Sequence, residues 1–223
     1  MQKMFNKTRD SFFLSNYIRI IFCFAIFSVL TIQLYAQWVD AYIPDFKVND
    51  DVGISYQVNS QIAVDSAGNF VIVWNDARRF SPASYPYDIY CQRYDKFGNT
   101  FGNNFRLVNQ DSVILGGITI YANGIFVVTW SNTIIRNQTQ YYELFFQKFD
   151  KVANPINLPT KVIDTTYLAD FPISLQGMSI SSDSLGRFVI CWAKAHTVNS
   201  KIQVFFQRFD SSGTKLGDID SVS

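Results

Sequence analysis

The sequence predicts an all-β chain, built as a β-propeller-like set of three four-stranded antiparallel blades that follow an N-terminal signal helix. Three observations predict it: one segment recurs three times, Asp and Gly sit at fixed turn positions within each copy, and the strands between the turns are apolar on both faces. The composition agrees. The 223 residues are 48% hydrophobic and 17% charged with a net charge of +1, which fits a globular chain and excludes a disordered, collagen-like or coiled-coil one.

The amino terminus precedes the repeats. Lys3, Lys7, Arg9 and Arg19 form a basic stretch, followed by an apolar run from Ile20 to Leu34 and by Leu34-Tyr35-Ala36-Gln37. This is the layout of a secretory signal peptide over residues 1–36, with Ala36 as the small residue before the cut. The run is shorter than the ~20 residues a spanning helix needs, so an uncleaved membrane anchor is the lesser alternative, and contact with a membrane is expected only through this segment. Residues 37–59 read as a linker and leading strand, in which Asp45-Phe-Lys-Val-Asn49 resembles the last strand of a repeat. The chain after Ala36 is near neutral without Lys/Arg clusters, so no nucleic-acid partner is expected.

The repeats span residues 60–109, 116–164 and 177–223. Ile62-Ala-Val-Asp65-Ser-Ala-Gly68-Asn-Phe70-Val-Ile-Val-Trp74 returns as Ile118 to Trp130 and as Ile180 to Trp192, with Gly six and Phe four residues before each Trp. A variable loop follows, and then Asp88-Ile-Tyr-Cys-Gln92-Arg-Tyr94-Asp95, Glu143 to Asp150 and Gln203 to Asp210. A last turn and an extended segment such as Phe105–Asn109 complete the unit. The tryptophans are 56 and 62 residues apart, longer than helical or leucine-rich repeats and near the upper end for a propeller blade. Asp65–Gly68, Asp95–Gly98, Asp183–Gly186 and Asp210–Gly213 have hairpin-turn chemistry, Asp opening the turn and Gly taking its left-handed position. In the second copy Tyr121 and Ala153 replace these residues, which predicts hairpins there that are looser or of another type. Because neither face of the middle strands is polar, sheets stacked face to face explain the pattern better than a sandwich with one wet face. Three blades are fewer than the four to eight that close a ring, so an incomplete propeller or a fragment of a longer one is expected.

With these motifs the chain resembles the repeats of secreted bacterial β-propeller proteins, whose units read D-x-x-G-N-F-V-V-x-W and then D-I-Y-x-Q-R-F-D-x-x-G. It is more distantly similar to sialidase-type Asp-box repeats, although Asp65 and Gly68 lie one residue further apart than in an Asp-box. The resemblance covers residues 60–223 and implies an extracellular or cell-surface protein with a propeller fold.

Chemistry is sparse. Glu143 is the one glutamate and His196 the one histidine, so a zinc site of several histidines cannot be assembled; no metal ion, no cofactor and no catalytic residue is expected. Asp88 and Glu143 occupy the same repeat position on different blades, too far apart for a glycosidase pair, which needs ~5–9.5 Å. Trp74, Trp130 and Trp192 read as core between blades, Gln92, Gln147 and Gln207 as backbone hydrogen-bonders, and Cys91 and Cys191 as small buried residues. The loops after each tryptophan differ between copies, and binding usually resides in such loops. The first of them offers Arg78, Arg79, Tyr85 and Tyr87, charge and flat aromatic surface suited to a carboxylate or a sugar, with Asp76 and Arg78 also positioned to pair locally. The expected function is a secreted, non-catalytic module that binds a glycan or a protein. The alternatives are part of a sialidase-like glycoside hydrolase and a structural subunit that self-associates.

Overall fold

The computed structural model describes residues 46–79, 87–110, 112–136, 139–163, 177–195 and 202–222, and the compact unit treated below is Val48–Ser223. The signal segment, Tyr85, His196 and most of the loops after the first and third tryptophans lie outside the described residues, whereas the segment after the second is described except at residues 137 and 138. Twelve strands are described, four per repeat. The first repeat forms β1 (Gln57–Val64), β2 (Phe70–Asp76), β3 (Asp88–Tyr94) and β4 (Phe105–Arg106). The second forms β5 (Val113–Ile120), β6 (Phe126–Arg136), β7 (Thr139–Phe149) and β8 (Thr160–Ile163). The third forms β9 (Ser179–Ser182), β10 (Phe188–Ala195), β11 (Ile202–Phe209) and β12 (Asp220–Val222). Each set is its own antiparallel sheet in sequential order, the blade topology expected of the repeats. The segment Phe46–Asn49 forms no strand; Val48 is tied to the first sheet through Asn104, whose amide donates to the Val48 carbonyl at 3.2 Å.

The hairpins follow from their turn residues. At the first, the Asp65 carboxylate accepts from the backbone N–H of Ala67 (2.8 Å) and Asn69 (2.9 Å), and Gly68 takes φ +86°, where a side chain is disfavoured. The second repeat corrects the expectation of looser or different turns. Tyr121 and Ile125 exchange the same backbone bond at 2.7 Å, Gly124 has φ +81°, and Ala153 takes φ +70° where its sister copies have glycine. Asn123 accepts from the Ile125 N–H at 3.2 Å in place of the missing Asp, Asp150 still caps the Ala153 turn, and packing supports both. The Tyr121 ring is buried against Gly186, where a Cβ would lie 3.2 Å from it, and the Ala153 methyl is buried in the core, offsetting a left-handed conformation that costs an ordinary residue ~1–2 kcal/mol.

The sheets stack in a fixed order of faces. Pairing of Trp with Tyr90, Phe145 or Phe205 gives each sheet one face that carries its tryptophan, its Gln and a stacked ring pair, namely Phe70–Tyr94 (4.7 Å), Phe126–Phe149 (5.2 Å) or Phe188–Phe209 (4.8 Å). The tryptophan face of the second sheet packs on Val71, Val73, Ile89 and Cys91 of the first. That of the third packs on Val127, Leu144 and Phe146 of the second, with Phe146 edge-on to Phe188 and Phe209. The middle sheet is therefore buried on both faces from Phe126 to Ser131 and from Tyr142 to Phe149. Among the described residues no further sheet packs on the far faces of the outer sheets: Ile62 and Val64 of β1 are exposed, although Trp74, Gln92 and Tyr94 on the same face are buried, and Ile202 and Val204 are exposed on the third sheet. Cys191 is half-buried for the same reason, whereas Cys91 is fully buried and its thiol is pushed up to about 12 by desolvation; both are free.

One buried amide joins the first two sheets. Asn75 donates to the Val113 carbonyl (2.9 Å) and accepts from the Leu115 N–H (3.0 Å), both on β5. The equivalent Ser131 of the second sheet is equally buried, but its hydroxyl has no partner. Asn75→Ala is expected to cost about 2–4 kcal/mol, since it strands two buried backbone groups, whereas Ser131→Ala is expected to be near neutral. Urea unfolding of the two variants checks the contrast, and equal losses would contradict it.

Candidate functional site

The site lies where β2 ends and β3 begins. Their unbroken register from Phe70↔Tyr94 to Asp76↔Asp88 brings Trp74, Tyr90 and the two carboxylates to the same face of the sheet. Both Asp76 and Asp88 are fully buried, and two like charges directly opposite each other would be unfavourable without counter-ions. Three arginines supply them. Arg79 forks onto Asp88 with Nε at 2.5 Å and Nη2 at 2.8 Å, and Arg106 from β4 reaches the same carboxylate at 3.0 Å. Arg78 contacts Asp76 at 2.9 Å and Asp50 at 2.8 Å, and its guanidinium lies 4.1 Å from the centre of the Tyr90 ring. The Trp74 indole N–H donates to Asp76 at 2.9 Å.

The electrostatics follow from these contacts. Burial by itself would raise the Asp76 carboxyl, but hydrogen bonds from Arg78, from the Trp74 indole and from the Arg78 backbone, together with the Arg78 charge, hold it below the ordinary aspartate value. Desolvation works against the Arg78 charge, and the bonds to Asp76 and Asp50 outweigh it, so Arg78 is held still more firmly protonated than usual. Burial raises the Tyr90 phenol. Three carboxylates thus face three guanidinium groups.

Part of this cluster recurs along the chain. Glu143 and Lys161 occupy the positions of Asp88 and Arg106 and pair at 2.8 Å, with Lys161 over the Phe145 ring. In the third repeat those positions are Gln203 and Ser221, which carry no charge. The carboxylate at this repeat position therefore anchors the fourth strand to the third. Pairing of Asp76 with Arg78 is local in sequence and was legible there. The role of Asp88 was not, although the joint change from Asp88/Arg106 to Glu143/Lys161 to Gln203/Ser221 is its signature.

Of the loop residues expected to bind, Arg78 and Arg79 meet in this cluster. Tyr87, half-buried, adjoins it and accepts from the Val113 N–H at 3.0 Å through its carbonyl; Tyr85 lies outside the described residues. Arg79 is the most solvent-accessible of the three guanidinium groups, with its side chain 42% exposed. The tryptophans are core, at 3%, 0% and 2% exposure. Gln92, Gln147 and Gln207 each donate to a backbone carbonyl ten residues onward, at 3.1, 2.6 and 3.0 Å. Among the described residues no three His, Cys, Asp or Glu side chains converge as metal ligands would.

Asp88→Ala is expected to cost about 3 kcal/mol, because it removes a buried carboxylate that two guanidinium groups share, and Asp50→Ala, at the exposed end of the cluster, under about 1 kcal/mol. Thermal unfolding of both variants measures the difference. Asp76 also links stability to pH. Its carboxyl is held below 3.8 in the folded chain, so its contribution is present above that value and is lost as pH falls through the depressed one. Asp76→Asn is expected to flatten the acid side of the stability curve, and an unchanged acid limb in that variant would contradict the assignment.

No protein-family model matches the chain, and no curated relative matches it. Among solved structures the chain is similar to an endo-arabinase from Bacteroides thetaiotaomicron, with a TM-score of 0.42 and 13% identity over 82% of this chain. The chain spans 66% of the length of that enzyme, and no residue role is transferred from it. What stands on the chain's own coordinates is an all-β, propeller-like protein of three four-stranded antiparallel sheets.

Proposed function

We propose that the chain is an exported, propeller-like module that binds a glycan outside the cell or at its surface without cleaving it, through the post-tryptophan end of the first sheet. The observation that carries this reading is the state of the carboxylates there. A general acid at neutral pH needs a carboxyl with a raised pKa, but Asp76 is lowered and Asp88 is locked by two guanidinium groups. Glu143, at the equivalent place on the next sheet, is paired with Lys161. These groups support a rigid surface more readily than proton transfer.

What that surface offers a ligand is the outer edge of Arg79, the half-buried Tyr87 and the half-exposed Asp50, a mixture of donors, acceptor and ring. Sugars are recognised by such combinations, hydroxyls bonding to charged groups and ring faces lying on aromatics. Uronic acids would also find Arg79. Export is supported by the basic stretch and apolar run that end at Ala36.

The test is a glycan array probed with the full chain, followed by calorimetry on the best neutral and uronic-acid oligosaccharides. Binding without release of reducing sugar is expected, and Tyr87→Ala or Arg79→Lys should weaken it about tenfold while the circular dichroism spectrum is kept. Steady turnover of a bound oligosaccharide would overturn the reading, and so would an array with no specific signal.

A further inference from the structure

The third sheet keeps one face open to water. Its register puts Val189, Cys191, Val204, Phe206, Arg208 and Asp220 together on the side away from Trp192. Burial alternates accordingly: along β10 Phe188, Ile190 and Trp192 are buried, whereas Val189 and Cys191 between them are half-buried. The equivalent positions of the earlier sheets are closed. Ile89 and Leu144 are 0% exposed where Val204 is 41% exposed, and Phe146 is fully buried where Phe206 is half-buried.

Two charges on this face set it apart from its counterparts. Arg93 and Lys148, at the repeat position of Arg208, donate to the Lys151 and Ser211 carbonyls of the sheet that follows each of them. Arg208 is exposed, and among the described residues no such carbonyl receives it. Asp220 stands opposite Phe206, where the earlier sheets carry Phe105 opposite Cys91 and Thr160 opposite Phe146, so the acid is peculiar to the third sheet. A joint of the internal kind does not suit it, since Phe105 at that position packs against the apolar core of the first joint.

The layout is its own complement. Arg208 lies two residues from Phe206 along β11, about 7 Å, and Asp220 lies across from it on β12, about 5 Å, so cation and acid flank the ring in perpendicular directions. A two-fold axis between two copies, running along the diagonal of those directions, exchanges them. Each cation then falls over the acid of the other copy, Phe206 meets itself, and Cys191 falls over Val204. The strands of the two sheets cross at near right angles, one of the two ways in which sheets pack face to face.

We propose that a second copy of this chain docks on this face across that axis, forming an isologous dimer held by two Arg208–Asp220 ion pairs around a Phe206–Phe206 contact. The face is separate from the cluster at the end of the first sheet, and the dimer does not depend on a ligand there.

Sedimentation velocity of the full chain over a hundredfold range of concentration tests it. The expected result is a species of twice the monomer mass that weakens as salt is raised. Arg208→Asp and Asp220→Arg, both at exposed positions, each raise its dissociation constant at least about tenfold, and an equimolar mixture of the two variants, in which every cation again faces an acid, regains the parent affinity to within about threefold. Alkylation of Cys191, followed by peptide mass spectrometry, slows as the dimer fills. Circular dichroism establishes that each variant is folded. A strict monomer across the range, open-ended polymers, a dimer indifferent to both reversals or not restored by the mixture, or Cys191 alkylated equally fast in monomer and dimer would overturn the proposal.

Discussion

The structure depends on one constraint: four-stranded sheets this apolar have to cover their faces, and the middle one covers both. A lone meander of this composition would expose Phe, Val, Ile and Trp on both sides, and the driving force of roughly 25 cal/mol per Å² of buried apolar surface is met only by stacking. The order of the stack is also specified. The tryptophan face of one sheet meets the opposite face of the sheet before it, so Phe146 finds the Phe188–Phe209 pair and Cys91 lies in the equivalent joint. The smaller Cys91 leaves less aromatic contact in the first joint, where Asn75 bonds to two backbone groups of β5, while in the second joint the Thr119 and Ser182 hydroxyls meet at 2.7 Å.

Polar groups inside such a stack have to be matched, and the three repeats show how. The repeated glutamines each satisfy a carbonyl ten residues away, which fixes the return of the chain into the fourth strand. The acid–base pair of the third and fourth strands performs a similar task in the first two repeats and disappears as a unit in the third. At the post-tryptophan end of the first sheet the matching becomes a network of three acids and three arginines, anchored by buried carboxylates and open to solvent at Arg79 and Asp50. Stiffness of that kind suits a surface that recognises a ligand, since little ordering remains to be done on binding.

Much of this was legible beforehand. Four strands per repeat, their hairpins and the burial of each Trp followed from the Asp, Gly and Phe positions counted back from Trp74, Trp130 and Trp192. The second repeat resisted the same reading because Tyr121 and Ala153 alter the local turn signal while Asn123, Asp150 and tertiary packing retain the turns. Asp45–Asn49 has the letters of a strand, yet strand letters alone cannot supply a partner, and Val48 is held through Asn104 instead. Within the site, Arg78 and Arg79 could be named from the loop, but Arg106 and Asp50, far off in sequence, could not.

The sequence by itself determined the periodicity, the turns and the double-sided greasiness of the strands, because these are local properties of residue type and spacing. Only the tertiary structure decided which faces meet and which carboxylate each arginine holds. The reason is physical: side-chain alternation tells which residues share a face, but a salt bridge or a joint between sheets exists only once distant strands have been brought within a few ångströms of one another.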